Sequence, residues 1–183
     1  MAVLDEVGEL LRSLRGVWDE DAVDELDHAL QAAVRARDDG ADDELVLAAA
    51  LHDLAHSPAF GDIAPQHHDS IAREWLTPRF GDRVGWLAGA HVAAKRYLVA
   101  TDPDYATTLS DVSADSLHHQ GGAHIDPAFV DHPWWPDALR LRRYDDAAKD
   151  PHGDAASIDD VLAIAKRVLT HKSSRWSSRW SLR

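Results

Sequence analysis

The sequence predicts a single all-α domain. Apolar residues recur at helical spacing almost throughout, strand signals are scarce, and glycine and proline cut the periodic runs into packed-helix lengths. With 183 residues and 45% hydrophobic content, the chain is long enough to bury one sizeable core. Helices are expected near 2–15, 21–37, 42–57, 67–79, 82–99, 134–149 and 156–171, with shorter ones at 109–119 and 126–132. Breaks fall at Gly40, Pro58 to Pro65, Pro78 to Gly81, Asp102-Pro103-Asp104, Gly121-Gly122, Pro133 to Pro136 and Pro151 to Gly153. No linker divides residues 1–170. Residues 171–183 change character: they are basic and repeat Ser174-Arg175-Trp176 as Ser178-Arg179-Trp180, which reads as a mobile end.

Taken in chain order, the helices carry polar residues that packing alone explains poorly. On 21–37, Val23, Asp27, Leu30 and Val34 mark one stripe. His28 lies off it, beside Asp24, Gln31, Ala32 and Arg35, so spacing alone leaves it a surface histidine. On 42–57, His52 and Asp53 sit inside the apolar run Ala48-Ala49-Ala50-Leu51-His52-Asp53-Leu54-Ala55-His56. Burying that pair unpartnered costs several kcal/mol, and a cation satisfies both members at once. On 67–79, Ile71, Ala72, Trp75 and Leu76 define the apolar face. His68 lies on that face, and His67 about 100° off it remains the alternative.

On 82–99, Val84, Leu87, Ala88, His91, Lys95 and Leu98 share one face, so His91 and Lys95 point inward with the core. A buried ammonium needs an anion, either a protein carboxylate or a bound substrate. On 134–149, Trp134, Ala138, Leu141, Asp145 and Ala148 form a seam that includes Asp145 and turns Asp146 away. The plainer reading of Asp145 pairs it with Arg142 or Lys149.

The composition narrows the chemistry. There are no cysteines, so thiolate sites and disulfides are excluded, while 12 histidines can supply nitrogen ligands for iron, manganese or zinc. The formal charge of −13 argues against a nucleic-acid surface. An anionic substrate then requires local positive charge at its site. The acidic start Met1-Ala2-Val3-Leu4-Asp5-Glu6 lacks the apolar core of a signal peptide, and no apolar run approaches a membrane span. A cytoplasmic protein is expected.

Four longer runs carry a family resemblance. They are Asp24-Glu25-Leu26-Asp27-His28-Ala29-Leu30-Gln31-Ala32-Ala33 and His91-Val92-Ala93-Ala94-Lys95-Arg96-Tyr97-Leu98. The third comprises Leu109-Ser110-Asp111-Val112-Ser113 with Ser116-Leu117 and Gln120-Gly121-Gly122, and the last is Leu141-Arg142-Arg143-Tyr144-Asp145-Asp146-Ala147-Ala148-Lys149. In this order, over residues 18 to 150, they resemble the PhnZ-like branch of HD-domain oxygenases, relatives of myo-inositol oxygenase.

The resemblance implies an HD-domain helical bundle with a mixed-valent Fe(II)/Fe(III) pair that uses dioxygen on a small anionic substrate. Carried onto this chain, His28, His52, Asp53 and Asp145 hold one iron. Asp53, His68 and His91 hold the other, with Asp53 bridging. His56 matches a family histidine beside the metals, as a proton relay or support to the ligands. Lys95, Ser113 and Gln120 match positions that contact a phosphonate, for which lysine is a charged donor. The family has a tyrosine ten residues before the first histidine and a glutamate seven before it, which gate the site and hold the substrate's amino group. Here those positions are Trp18 and Asp21. Trp18 cannot ligate iron through oxygen, and Asp21 keeps the charge with one methylene fewer.

The implied reaction is oxidative cleavage of the C–P bond of a small 1-hydroxyalkylphosphonate, with or without an amino group, to a carboxylic acid and phosphate. The competing reading is an HD phosphohydrolase using metal-activated hydroxide on a small phosphate ester. A third is a metal-binding sensor without catalysis, against which the retention of all six ligands counts.

Overall fold

The computed structural model describes residues 2–18, 22–63 and 67–180, with side chains through Ser173. Among them are ten α-helices, two 3-10 turns and no strand. The helices are α1 (Val3–Ser13), α2 (Glu25–Asp38), α3 (Asp43–Leu51), α4 (His68–Phe80), α5 (Asp82–Thr101), α6 (Pro103–Ala106), α7 (Asp111–His119), α8 (Pro127–Val130), α9 (Trp135–Ala147) and α10 (Ile158–Trp180). Their starts follow from local chemistry. Asp24, Asp42 and Ser110 each accept a hydrogen bond from the amide three residues on, at 3.0, 2.9 and 3.0 Å, meeting donors that the first turn leaves free. Asp102 caps α6, a one-turn helix lying where the sequence suggests only a break.

Helices α2, α3, α5 and α9 pack together at the centre, with α4 against α5 and α1 and α10 across the outside. The apolar core runs from Leu11 and Leu14 on the α1 side through Leu45, Leu47 and Leu51 to Leu87 and Leu141. Helix α5 is buried almost all round, from Val84 to Leu98, and α2 likewise from Glu25 to Ala36. No helix among the described residues is long and apolar enough to cross a membrane.

Two departures from the sequence expectation matter for the site. The helix expected over 42–57 ends at Leu51. His52 still has helical angles, but Asp53 sits at φ −100°, ψ 18°, and Leu54–His56 is a 3-10 turn. Adjacent residues on a regular helix point about 100° apart. Breaking the helix at the pair lets both side chains reach one centre. The helix expected to end at 171 instead continues in backbone through Trp180, because the segment holds neither glycine nor proline to stop it. Side chains of the Ser-Arg-Trp repeat lie outside the described residues.

The α4–α5 pair is unusually close. Gly81 joins the helices at φ 106°, a backbone region open to glycine. Gly85 and Gly89 then let the backbones approach. A Cβ on Gly85 would lie 2.1 Å from Thr77 Oγ1 and 3.0 Å from both the Arg73 carbonyl oxygen and the Thr77 nitrogen. A Cβ on Gly89 would lie 2.9 Å from Arg73 Cβ. Gly85→Ala is expected to destabilise the protein by about 1–3 kcal/mol through overpacking, lowering Tm by roughly 2–4 °C per kcal/mol. An unchanged melting temperature would show that the two helices can part at no cost.

Candidate metal centre

Six ionisable side chains meet where the central helices converge. His28 comes from the buried side of α2, His52 and Asp53 from the end of α3, His68 from the first turn of α4, His91 from mid-α5 and Asp145 from late α9. Asp53 divides them. Its Oδ2 lies 3.1 Å from His52 Nε2 and 3.5 Å from His28 Nε2. Its Oδ1 lies 3.4 Å from both His68 Nε2 and His91 Nε2. Asp145 closes the first group, with Oδ1 3.5 Å from His28 Nε2 and Oδ2 3.5 Å from His52 Nε2. One carboxylate thus presents a different oxygen to each of two imidazole pairs.

The imidazoles are oriented from behind. His28 Nδ1 faces the Ala148 carbonyl at 3.0 Å, and His52 Nδ1 faces the Ala49 carbonyl at 2.8 Å. A carbonyl only accepts, so both Nδ1 atoms carry hydrogen and both Nε2 atoms offer lone pairs. Those two Nε2 atoms face each other at 3.4 Å. Two lone pairs do not bond, so a proton or a cation belongs between them. His91 Nδ1 likewise faces the Ala88 carbonyl at 2.6 Å, and its Nε2 lies 2.9 Å from His68 Nε2. Asp53 Oδ1 is buried without a hydrogen bond, an arrangement that costs several kcal/mol unless an ion meets it. Backbone support that fixes the tautomer is the usual arrangement behind histidine ligands. The donor set of imidazole nitrogen and carboxylate oxygen fits iron, manganese or zinc.

The charge states agree. Burial opposes ionisation of Asp53, but His52 and His28 outweigh it and hold the carboxyl well below the usual range. Asp145 is also held well below, because Arg142 and then His52 overcome its burial. Burial pushes His91 well down, with His52 and His68 adding to the effect, so it stays neutral. His28 and His52 are desolvated too, yet Asp53 and Asp145 raise both. Without metal, both therefore bind a proton more readily than a free imidazole, and an incoming cation competes with that proton.

The remaining expected site residues divide. His56 stands at the same centre, its Nε2 3.8 Å from Asp53 Oδ1 and its ring 4.9 Å from that of His68. His56, His68 and Asp53 are close enough to share one ion, so ligation is open to His56 as well as the supporting role. Lys95 is 3% exposed and its Nζ donates to Ser116 Oγ at 2.8 Å. Ser113 is buried and accepts from Lys149 Nζ at 2.7 Å. Gln120 Oε1 is buried without a hydrogen bond. Together with His28, Asp53, His68, His91 and Asp145 these groups line a cavity of about 60 Å³. Trp18, by contrast, is 63% exposed and is not part of that lining, and Asp21 lies outside the described residues. His67 is exposed, whereas His68 is buried beside Asp53 and His91.

Lys95 makes no ion pair with a carboxylate among the described residues. Burial and then the nearby Arg142 lower it to about 8. The cavity also receives Lys149 and Arg142, so a chain of net charge −13 concentrates three cationic side chains at one small site. A larger open cleft of about 850 Å³ gathers Asp42 and Glu44, but both already pair with Arg83, at 2.8 and 3.0 Å.

Sequence reasoning passed over Glu25, Ser116, Arg142 and Lys149 in the lining. Each stood one helical turn from a chosen residue: Glu25 before His28, Ser116 after Ser113, Arg142 before and Lys149 after Asp145. Extending each chosen position by three or four residues on its own helix face would have found them.

No protein-family model matches the chain. Similarity to individual proteins is clear. A hydroxymethylphosphonate dioxygenase of Gimesia maris is 35% identical over 151 residues, covering 77% of this chain and 75% of that protein. A 1-hydroxy-2-(trimethylamino)ethylphosphonate dioxygenase (glycine-betaine-forming) of Leisingera caerulea is 31% identical over 159 residues, covering 78% and 81%. An uncharacterised protein of Acanthamoeba polyphaga mimivirus is 33% identical over 136 residues, covering 68% and 62%. With the histidine–aspartate cluster at the convergence of its central helices, the chain belongs to the PhnZ-like family of HD-domain phosphonate dioxygenases.

Proposed function

We propose that the protein is a dioxygen-dependent diiron oxygenase that cleaves the C–P bond of a small 1-hydroxyalkylphosphonate. The observation that carries this reading is the division of Asp53, one oxygen toward His28 and His52 and the other toward His68 and His91, beside a pocket that receives Lys95 and Lys149. The names of the two dioxygenase relatives supply the reaction class. In balanced form, one hydroxyalkylphosphonate and one dioxygen give one carboxylic acid and one phosphate. The C–H and C–P bonds of the hydroxyl-bearing carbon break, that carbon is oxidised, and both oxygen atoms enter the products.

His28, His52, Asp53 and Asp145 would hold one iron, and Asp53, His68 and His91 the other, in the mixed-valent Fe(II)/Fe(III) state. When bound, the pair supplies dioxygen activation and a Lewis-acid anchor for the substrate oxygens. The protein's own groups do the rest. Lys95 and Lys149 neutralise the phosphonate as charged donors, while Ser113, Ser116 and Gln120 orient its oxygens. The Gln120 amide can turn its nitrogen to the phosphonate, since its oxygen is committed to no partner. His56, at the same centre, accepts the proton of the substrate hydroxyl or returns one to product. The cavity of about 60 Å³ suits a substrate of few heavy atoms.

Protein isolated from iron-rich culture should contain about two irons per chain, as two-metal sites do. Asp53→Ala should lose both, because the carboxylate serves both groups of imidazoles. Elemental analysis that returns a single tightly held ion in the wild type sinks the dinuclear reading.

Incubated with hydroxymethylphosphonate and dioxygen, the protein should release phosphate and formate in equal amounts. Phosphate release at full rate under anaerobic conditions points instead to a metal-dependent phosphohydrolase.

Lys95→Met keeps the stem and deletes the charge. Phosphonate binding should weaken by roughly 1.5–3 kcal/mol, about 10- to 150-fold, with iron content unchanged. The ammonium is the binding form, so wild-type affinity should fall as pH rises above about 8. The variant should lack that decline. In the ligand-free protein the sign for stability is opposite. A lysine held below its unfolded value disfavours folding while it is charged, so stability rises from about pH 8 toward the unfolded value of 10.5. Calorimetric titration across this range reads both effects.

A further inference from the structure

Arg142 has a geometry that charge balance alone does not explain. It lies on α9 one turn before Asp145 and is 3% exposed. Its Nε donates to Tyr105 Oη at 2.9 Å and to Asp146 Oδ2 at 3.2 Å, and its Nη2 pairs with Asp146 Oδ1. Tyr105, on α6, donates to the same Asp146 Oδ2 at 2.6 Å. Asp146 therefore already neutralises the guanidinium through both oxygens. The remaining arm, Nη1, donates to Asp145 Oδ2 at 2.6 Å. The other Asp145 oxygen, Oδ1, faces His28 Nε2 at 3.5 Å. Oδ2 is also 3.5 Å from His52 Nε2, but its short contact is to the arginine.

We propose that Arg142 is a positioning residue for the metal centre: it holds Oδ2 of Asp145 and leaves Oδ1 as the oxygen offered to the first ion. This rests on the dinuclear reading above. A carboxylate with both oxygens free can grip an ion through two positions, whereas one with an oxygen held by a charged donor offers one. Limiting Asp145 to one oxygen keeps a position on that ion for the substrate. Tyr105 and Asp146 brace the guanidinium from the side away from the centre, so the brace reaches from α6 through α9. Lysine is a poor replacement, because a point charge cannot serve two carboxylates and a phenol in one plane.

The test uses the iron-loaded protein with hydroxymethylphosphonate as probe. Three variants are compared: Arg142→Met, Arg142→Lys and Tyr105→Phe, the last leaving the arginine and both carboxylates in place. Iron stoichiometry, the substrate-induced change in the electron paramagnetic resonance spectrum, and KM against kcat are read for each, with circular dichroism as a check on folding. Supporting positions of this kind typically change metal affinity or activity by roughly 10–100-fold. The expected result is a folded Tyr105→Phe and a folded Arg142→Lys that retain iron, respond to the probe with an altered spectrum, and show KM raised by roughly 10–100-fold for Arg142→Lys and less for Tyr105→Phe. Arg142→Met should show the largest change where it folds. The proposal is overturned if the folded variants lose thermal stability while their substrate-induced spectrum and KM match wild type, for Arg142 then only supports packing. A wild type that holds no iron pair brings down the dinuclear reading itself, an outcome separate from normal iron loading with silent variants.

Discussion

The carboxylate of Asp53 stands between two pairs of imidazoles at the point where the central helices meet, and much of the fold is arranged to tolerate it. An ionised group with a buried, unbonded oxygen opposes folding unless positive charge meets it. The helices bring four imidazoles close, His28, His52, His68 and His91, and Asp53 raises the proton affinity of the first two in return. Backbone carbonyls of Ala148, Ala49 and Ala88 fix three of the rings from behind. Local stability is sacrificed in return. Helix α3 stops at Leu51 so that two consecutive residues can face one centre, and Asp53 takes the sparsely allowed region between helix and strand angles where many active-site residues sit.

The close approach of α4 and α5 serves the same centre. Gly85 and Gly89 remove side chains from the contact, and the helices draw near enough for His68 and His91 to place their Nε2 atoms 2.9 Å apart. Packing at one end of the pair thus sets the spacing of the two imidazoles at the other. A similar linkage runs through α9, where Arg142 ties Asp145 to Asp146 and onward to Tyr105.

Electrostatics separates the site from the rest of the molecule. The surface is strongly acidic, while Lys95, Arg142 and Lys149 converge on one small cavity. An anion approaching an acidic protein meets repulsion until it reaches this pocket, where partial exclusion of water strengthens each attraction. Lys95 is the most telling member, since burial and then Arg142 lower its affinity for a proton by more than Asp145 and Asp53 raise it.

The sequence by itself determined the all-α class, the order of the main helices and which polar side chains turn inward on most of them. Periodicity placed His68, His91, Lys95 and Asp145 on inward faces, and all four are buried. It worked there because each lies on a helix with one clearly apolar face near the residue in question. It failed for His28, which spacing leaves on the surface and the fold buries to 2% exposure. Helix α2 is enclosed on nearly every side, so a stripe of apolar residues no longer marks what faces inward. The expectation that His52 and Asp53 lie within a continuous helix failed for a related reason: the break after Leu51 carries no proline or glycine to announce it. Only the tertiary structure decided that Asp53 gives one oxygen to each imidazole pair, and that Arg142 claims one oxygen of Asp145. His28 and Ala148 are 120 residues apart and His68 and His91 are 23 apart, and contacts between such distant positions arise from helix packing that no local pattern records.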